Sequence, residues 1–351
     1  MSMAIITGLA GAVPALDFEA DYRRWACARL APSGRAGLYA RMAERSGIEH
    51  RWSVLEAEDA RLDQGQGFYG GDTPPSTSAR MRIYAREAPE LALQAIRKLG
   101  PLPPVTHLVV ASCTGFVAPG IDQIIARRLG LDGAVERVLI GFMGCYAAVT
   151  ALRTARHIVR SDPGARVLVV TVELSTLHHQ DEPEIEPMLA GAQFGDGAAA
   201  ALVEGCGRGL EIGAGLSATL DGSDDLITWE IADTGFRMHL SGAVPARIAA
   251  ALGEGGLGAR IAALVGTDQP VSYAVHAGGR SILDAVERGL HLPPGALAAS
   301  RAVLRECGNI SSSTLMFVLE RLMQDKPTRG IALAFGPGLA VEGFVFGWHD
   351  A

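Results

Sequence analysis

The sequence predicts an α/β protein built from two similar halves in stacked layers. Two observations carry this. Short apolar runs bounded by glycine, proline or charge alternate with amphipathic helical stretches along the whole chain. The 351 residues also exceed what one compact domain commonly holds. With 48% hydrophobic and 20% charged residues, there is ample material for a core and no signature of disorder.

In the first half, strands are expected at Ala4–Thr7, Thr106–Ala111, Arg137–Ile140, Arg166–Val172 and Ala198–Val203. Helices are expected at Phe18–Leu30, Ala79–Leu99, Ile121–Leu129 and Tyr146–Arg160. Runs such as Val167-Leu-Val-Val-Thr-Val172 are apolar on both faces, as a buried and largely parallel sheet requires. After Gly205 the alternation restarts. Strands are expected at Leu210–Leu216, Leu226–Ile231, Val271–Val275, Ile331–Phe335 and Ala340–Phe346, and helices at Pro245–Leu252, Ala259–Val265, Ser281–Gly289 and Ser311–Met323. The division falls between residues 1–205 and 206–351, with no low-complexity linker between them. The polar, acidic stretch His178–Met188, with two prolines, reads as a surface loop.

Composition also narrows function. The formal charge is -7 and the basic residues form no run, which argues against a nucleic-acid partner. Local basic clusters in an acidic chain can still bind an anionic cofactor. Five widely spaced cysteines without a CxxC point to a reducing, cytoplasmic compartment and away from a disulfide framework or a zinc site. His178–His179 lacks a third ligand at helical spacing, so no metal is expected. No run of about 18 uncharged apolar residues is present, and stable membrane insertion is not expected.

The run Val138-Leu-Ile-Gly-Phe-Met-Gly-Cys-Tyr-Ala-Ala carries the main chemical signal. A strand ends, Gly144 turns the chain, and Cys145 stands where a helix begins. Unpaired N–H groups and the helix dipole stabilise a thiolate there. A lone cysteine more often packs as a small hydrophobe, so partners decide the matter. A nucleophile needs a base and a group that holds oxyanion charge. His276 ends the strand in Tyr273-Ala-Val-His-Ala-Gly-Gly, and Asn309 precedes the helix in Cys307-Gly-Asn-Ile-Ser-Ser-Ser. Taken singly, His276 fits a satisfied core histidine and Asn309 fits a helix cap or turn. Three such positions, each at a helix start, are far harder to produce by chance.

These runs resemble the type III polyketide synthases, the chalcone synthase-like family with the thiolase fold. The resemblance extends over nearly the whole chain. It rests on Gly144-Cys-Tyr-Ala147, Ala192-Gln-Phe-Gly-Asp-Gly-Ala-Ala-Ala200, His276-Ala-Gly-Gly-Arg-Ser-Ile-Leu-Asp284, Gly308-Asn-Ile-Ser-Ser312 and Phe335-Gly-Pro-Gly-Leu339. It implies two thiolase-like α/β halves in an αβαβα arrangement. It implies Cys145 as the acyl-accepting nucleophile, His276 as the base, and Asn309 as its partner in the oxyanion site. Malonyl-CoA would lose CO2 and its enolate would attack the Cys145 thioester. Phe194 resembles the family's gatekeeping phenylalanine, and Arg41 and Arg45 match basic positions that meet CoA. The spacing of these two arginines fits a solvated helix face equally well.

Departures from the plant pattern bear on the product. Met238 stands in place of a second aromatic, Trp229 in place of a cavity glycine, and Cys113, Ser175 and His178 in place of threonines. Ala118 aligns with the methionine that plant enzymes insert into the partner subunit. Ser311, Phe335 and Gly336 complete the expected cavity, and Cys113 is read as lining without catalysis. A fatty acyl-CoA starter and an alkylpyrone or alkylresorcinol product follow as the expectation, with a homodimer and no metal or organic cofactor. Asp196, between two glycines, reads as a turn-fixing carboxylate. Glu173, at a strand end, fits either a structural or a chemical role. Phe335-Gly-Pro-Gly precedes a strand rather than a helix and is no dinucleotide fingerprint. An initiating ketoacyl carrier-protein synthase, a non-catalytic homologue and a cysteine hydrolase remain as alternatives.

Overall fold

The computed structural model describes residues 3–60, 62, 67–71, 73–253, 256–266 and 269–350. The first half comprises β1 (Ile5–Ala12), β2 (Leu16–Asp17), α1 (Glu19–Leu30), α2 (Ala36–Ser46), β3 (Trp52–Ser53), α3 (Thr77–Lys98), β4 (His107–Ser112), α4 (Ile121–Leu129), β5 (Glu136–Gly141), α5 (Ala147–Ser161), β6 (Arg166–Leu174), α6 (Ile185–Gly191) and β7 (Asp196–Glu204). The second comprises β8 (Gly209–Thr219), β9 (Ile227–Ala232), β10 (Gly235–Leu240), α7 (Val244–Gly253), α8 (Leu257–Val265), β11 (Ser272–Val275), α9 (Arg280–Gly289), α10 (Ala298–Cys307), α11 (Ser313–Gln324), β12 (Gly330–Gly336) and β13 (Ala340–His349).

Nine strands form one sheet in the order β11-β12-β13-β8-β1-β7-β6-β4-β5. Outward from the central β1–β8 pair, the two halves repeat one pattern. β1–β7 and β7–β6 are antiparallel and β6–β4 is parallel. Correspondingly, β8–β13 and β13–β12 are antiparallel and β12–β11 is parallel. The β1–β8 pair is itself antiparallel, as a two-fold relation demands.

Strand period converts this into layers. Leu108, Val110, Leu168 and Val170 face α3 and α4 on the outside. Their neighbours Val109, Ala111, Val167 and Val169 face α5 and α11 on the inside. In the second half Leu216, Ile331, Leu333 and Val341 face α7, α8 and α9, while Ala332, Ala334 and Phe344 join the inner core. The result is the five-layer αβαβα stack, with α5 and α11 as its middle layer. Alanines at 147, 148, 151 and 155 let α5 approach the sheet closely.

Three expectations need correction. The sheet is mixed rather than largely parallel: among the described residues only β4–β5, β4–β6 and β11–β12 run parallel. Apolar runs reveal burial on both faces but not direction. The short Pro337–Leu339 turn between β12 and β13 is too brief for a crossover and forces an antiparallel pair. His178–Met188 is not a surface loop throughout: Ser175–His178 is a buried 3-10 turn, and α6 begins at Ile185. Finally, α10 and β10 were not expected, and α10 follows the Pro-Pro-Gly stretch at 293–295.

Asp196 opens β7 and is fully buried. It accepts from the Val54 N–H at 2.9 Å, the Thr176 N–H at 2.8 Å and the Thr176 hydroxyl at 2.7 Å. One carboxylate thereby fastens the β3 segment and the 175–178 turn to the sheet. Removing it leaves the Thr176 and Val54 N–H groups without their acceptor, while the Thr176 hydroxyl keeps Ser53 Oγ at 2.8 Å. Asp196→Ala should therefore lower unfolding stability by about 3 kcal/mol, measured by urea denaturation; an unchanged midpoint would refute the assignment.

Candidate active site

The Cys145 turn lies between β5 and α5. Phe142 adopts φ 58 and Gly144 φ 80, so the chain reverses sharply before the helix. A side chain at Gly144 would lie 2.5 Å from Pro337 Cδ, which leaves glycine as the residue that fits. Gly336 approaches from the same side: a Cβ there would lie 2.7 Å from the Tyr146 ring and 3.4 Å from the Cys145 nitrogen. The Phe335–Leu339 turn thus packs directly on the Cys145 turn. Cys113 lies beneath it, where its sulfur accepts the Gly144 N–H at 3.0 Å. It is buried there and does not line the Cys145 cavity, contrary to expectation. The Gly144 turn itself covers it.

His276 directly follows β11, with its N–H held by Leu333 O at 2.8 Å. Its ring is buried, and neither ring nitrogen has a protein hydrogen-bond partner. Asn309 follows the α10 cap at Gly308. Its N–H donates to Gln193 O at 2.8 Å, and its own carbonyl accepts from Gly195 N at 3.1 Å. Phe194 is therefore backbone-paired with Asn309. Asn309 Oδ1 accepts the Ser311 N–H at 2.8 Å, which leaves Nδ2 as the donor; it reaches Gly278 O at 3.3 Å. Ser311, at φ 46, sets its hydroxyl 3.8 Å from the Cys145 sulfur.

Cys145, His276, Asn309 and Ser311 line one predominantly apolar cavity with Phe194, Trp229, Met238, Phe335 and Gly336. Burial pushes the Cys145 thiol up to about 12, against the opposing hydrogen bonds of Ser311 and Asn309. Burial alone pushes His276 down to about 3. Each group taken singly is thus neutral. Moving the proton from sulfur to imidazole creates two opposite charges in a low-dielectric cavity, where their attraction offsets much of the desolvation.

Trp229 and Met238 are register partners in the β9–β10 hairpin, a sheet separate from the main one. The Trp229 Nε1–H donates to Cys113 O at 3.1 Å. Behind Phe194, Trp229 and Met238 lies a second cavity, lined also by Ser175 and His178. His178 is fully engaged there: Nε2 meets Thr114 O at 2.8 Å, Nδ1 accepts the Phe236 N–H at 3.0 Å, and the ring stacks on Phe236 at 4.2 Å. Ser175 and His178 therefore belong to this neighbouring space rather than to the Cys145 cavity.

Arg45 lines a surface groove with Gln193, Gly279 and Arg280, next to the cavity residues Phe194 and Gly278. Arg41 lies one turn away on α2, exposed and outside the groove lining. Arg280 is absent from the residues that the sequence singles out. It follows the two glycines after His276 and opens α9, and that position is its signal. Among the described residues, no group of three or more His, Cys, Asp or Glu side chains could hold a metal ion.

The family model for the N-terminal domain of chalcone and stilbene synthases matches residues 13–207, and the C-terminal model matches residues 211–347. The chain is 33% identical to bisdemethoxycurcumin synthase of Oryza sativa subsp. japonica, covering 87% of this chain and 81% of that protein. It is 31% identical to the alpha-pyrone synthesis polyketide synthase-like Pks18 of Mycobacterium tuberculosis, covering 98% and 91%. Among solved structures, PKS-I of the brown alga Ectocarpus siliculosus superposes with a TM-score of 0.90 at 29% identity, covering 99% of both chains. The 1,3,6,8-tetrahydroxynaphthalene synthase of Streptomyces coelicolor A3(2) gives 0.88 at 28%, covering 99% of this chain and 100% of that one. The thiolase-like fold and the resemblance read from the motifs agree with these likenesses. The chain belongs to the chalcone and stilbene synthase family: it is a type III polyketide synthase, a condensing acyltransferase.

Proposed function

We propose that the chain extends an acyl-CoA starter with malonyl-CoA through a thioester on Cys145. The observation that carries this is the convergence of Cys145, His276 and Asn309, from three separate loops, on one apolar cavity. The Cys145 thiolate attacks the starter carbonyl and CoA leaves. Malonyl-CoA then loses CO2, and N–H groups of His276 and Asn309 stabilise the enolate oxygen. The enolate carbon attacks the Cys145 thioester, a C–C bond forms, and the thiolate is released for another round. Cyclisation gives an alkylpyrone, an alkylresorcinol or a related product. Thiolate, base and oxyanion donors complete this chemistry, so no metal or organic cofactor enters it.

The apolar lining favours a fatty acyl starter, and the second cavity behind Phe194, Trp229 and Met238 offers space for its chain. Arg45 and Arg280 at the neighbouring groove suit the phosphates of CoA. We further propose a homodimer formed along the β5 edge. Phe116, Val138 and Leu139 are exposed there at 47%, 38% and 47%, an apolar edge that a partner would cover. The five free cysteines suit a cytoplasmic setting, and among the described residues no single helix is long and apolar enough to cross a membrane.

Purified protein given labelled malonyl-CoA and acyl-CoAs from acetyl to palmitoyl should yield products whose masses grow with the starter. Cys145→Ala should abolish them while circular dichroism stays native. Intact malonyl-CoA with every starter, but turnover of malonyl carrier protein, would favour the initiating ketoacyl synthase instead. Free acid without CO2 would favour a hydrolase.

His276→Gln should raise the pH midpoint of Cys145 alkylation by about 2 units. The imidazolium that draws the thiol proton is then missing, and burial, the largest influence, is left opposed by the hydrogen bonds of Ser311 and Asn309. An unmoved midpoint, read by peptide mass spectrometry, would remove His276 from this role. Leu139→Glu should shift the protein from dimer to monomer in analytical ultracentrifugation, and an unchanged dimer would place the interface elsewhere.

A further inference from the structure

Glu173 ends β6, next to Leu174, and is fully buried. The condensation chemistry above does not use it. All three of its hydrogen bonds are accepted ones. One carboxylate oxygen takes the Cys113 N–H at 3.0 Å and the Thr114 hydroxyl at 2.9 Å. The other takes the Ser312 hydroxyl in a short hydrogen bond. These donors belong to opposite halves of the molecule. Cys113 is the residue whose sulfur supports the Gly144 N–H, directly before the nucleophile. Ser312 follows Ser311, whose N–H is fixed by Asn309 Oδ1 and whose hydroxyl faces the Cys145 sulfur.

We propose that Glu173 is a positioning residue that sets the Cys145 turn in register with the Asn309–Ser311 turn through a single shared carboxylate. The inference rests on the roles given above to Cys145 and Asn309. A glutamine there could accept on one side but would turn an N–H2 toward donors on the other, so both turns are held together only by a carboxylate. A carboxylate does something further: its charge opposes a second negative charge nearby. Cys145, Cys113 and Tyr84 are the titratable groups on which that charge acts, and it raises each of them. At Cys145 this charge adds to burial, the larger influence, and His276 has to act against both. Burial, the largest influence on Glu173 itself, pushes it up to about 7, against the pull of Ser312, Cys113 and Thr114. Its full set of N–H and O–H donors matches the ionised form.

The test compares Glu173→Gln and Ser312→Ala with the wild type, in condensation kinetics and in the pH profile of Cys145 alkylation by iodoacetamide. Glu173→Gln should lower kcat on the order of 10-fold through misalignment, while KM for malonyl-CoA stays within about threefold. It should also move the alkylation midpoint down by roughly one unit, because the opposing charge is gone. Ser312→Ala should lower kcat and leave the midpoint in place, since it cuts the brace without removing the charge. A midpoint at or above the wild-type value in folded Glu173→Gln would overturn the proposal. So would a wild-type kcat in Ser312→Ala, which also decides the matter if Glu173→Gln fails to fold. Alkylation needs no substrate, so a failure of the malonyl-CoA reading and a failure of this one are separable.

Discussion

Two helices begin in the interior of this protein, and the rest of the site follows from that constraint. The N-terminal turns of α5 and α11 cannot reach bulk water, because both helices form the middle layer, so their first N–H groups have to be met inside the protein. Such groups must meet acceptors or hold a ligand. At α11 the Ser313 N–H meets Ile310 O at 3.1 Å, and the approach to it is held by the Thr314 hydroxyl, which accepts the Ile310 N–H at 2.8 Å, and by Asn309 Oδ1, which accepts the Ser311 N–H. At α5 the start is given over to a thiol. A negative charge placed at either start would meet the positive end of a helix dipole.

The strands supply the other half of the arrangement. β4 and β11 occupy matching places in the two halves of the sheet. Each ends beside the site, β4 at Ser112 before Cys113 and β11 at Val275 before His276. One position became the imidazole of the site and the other the sulfur that supports the Gly144 turn. The asymmetry of the chemistry is thus built on a symmetric frame, by changing single residues at equivalent strand ends.

Much of this was legible in the sequence for identifiable reasons. Cys145, His276 and Asn309 each sit at a junction where an apolar run meets glycine and a helix starts, and such junctions are written locally. The helix α5 and strands β4 and β6 are strongly patterned and were found within a few residues. What escaped depends on contacts distant in sequence. Strand direction is invisible in a run apolar on both faces. The burial of His178 arises from Thr114 and Phe236, 64 and 58 positions away. Cys113 was placed on the cavity wall because it follows a strand end. The turn at Gly144 that covers it belongs to another crossover. Arg280 escaped because a single arginine at a helix start is common, and the groove beside it forms only when α2 and α6 pack nearby.

The hairpin that carries Trp229 and Met238 stands outside the nine-stranded sheet. Cys145, His276 and Asn309 hang from the sheet and the middle helices, so they are fixed by a different set of hydrogen bonds from those that shape this wall. Substitutions on the hairpin can redraw the cavity wall while Cys145, His276 and Asn309 keep their places. Such a division lets one scaffold explore many products by small steps, each of which starts from a working catalyst. Phe194 has no such freedom: its backbone is paired with Asn309, so a shift of the chain at one is felt at the other. Diversification should therefore enter this protein through the hairpin before it enters through Phe194.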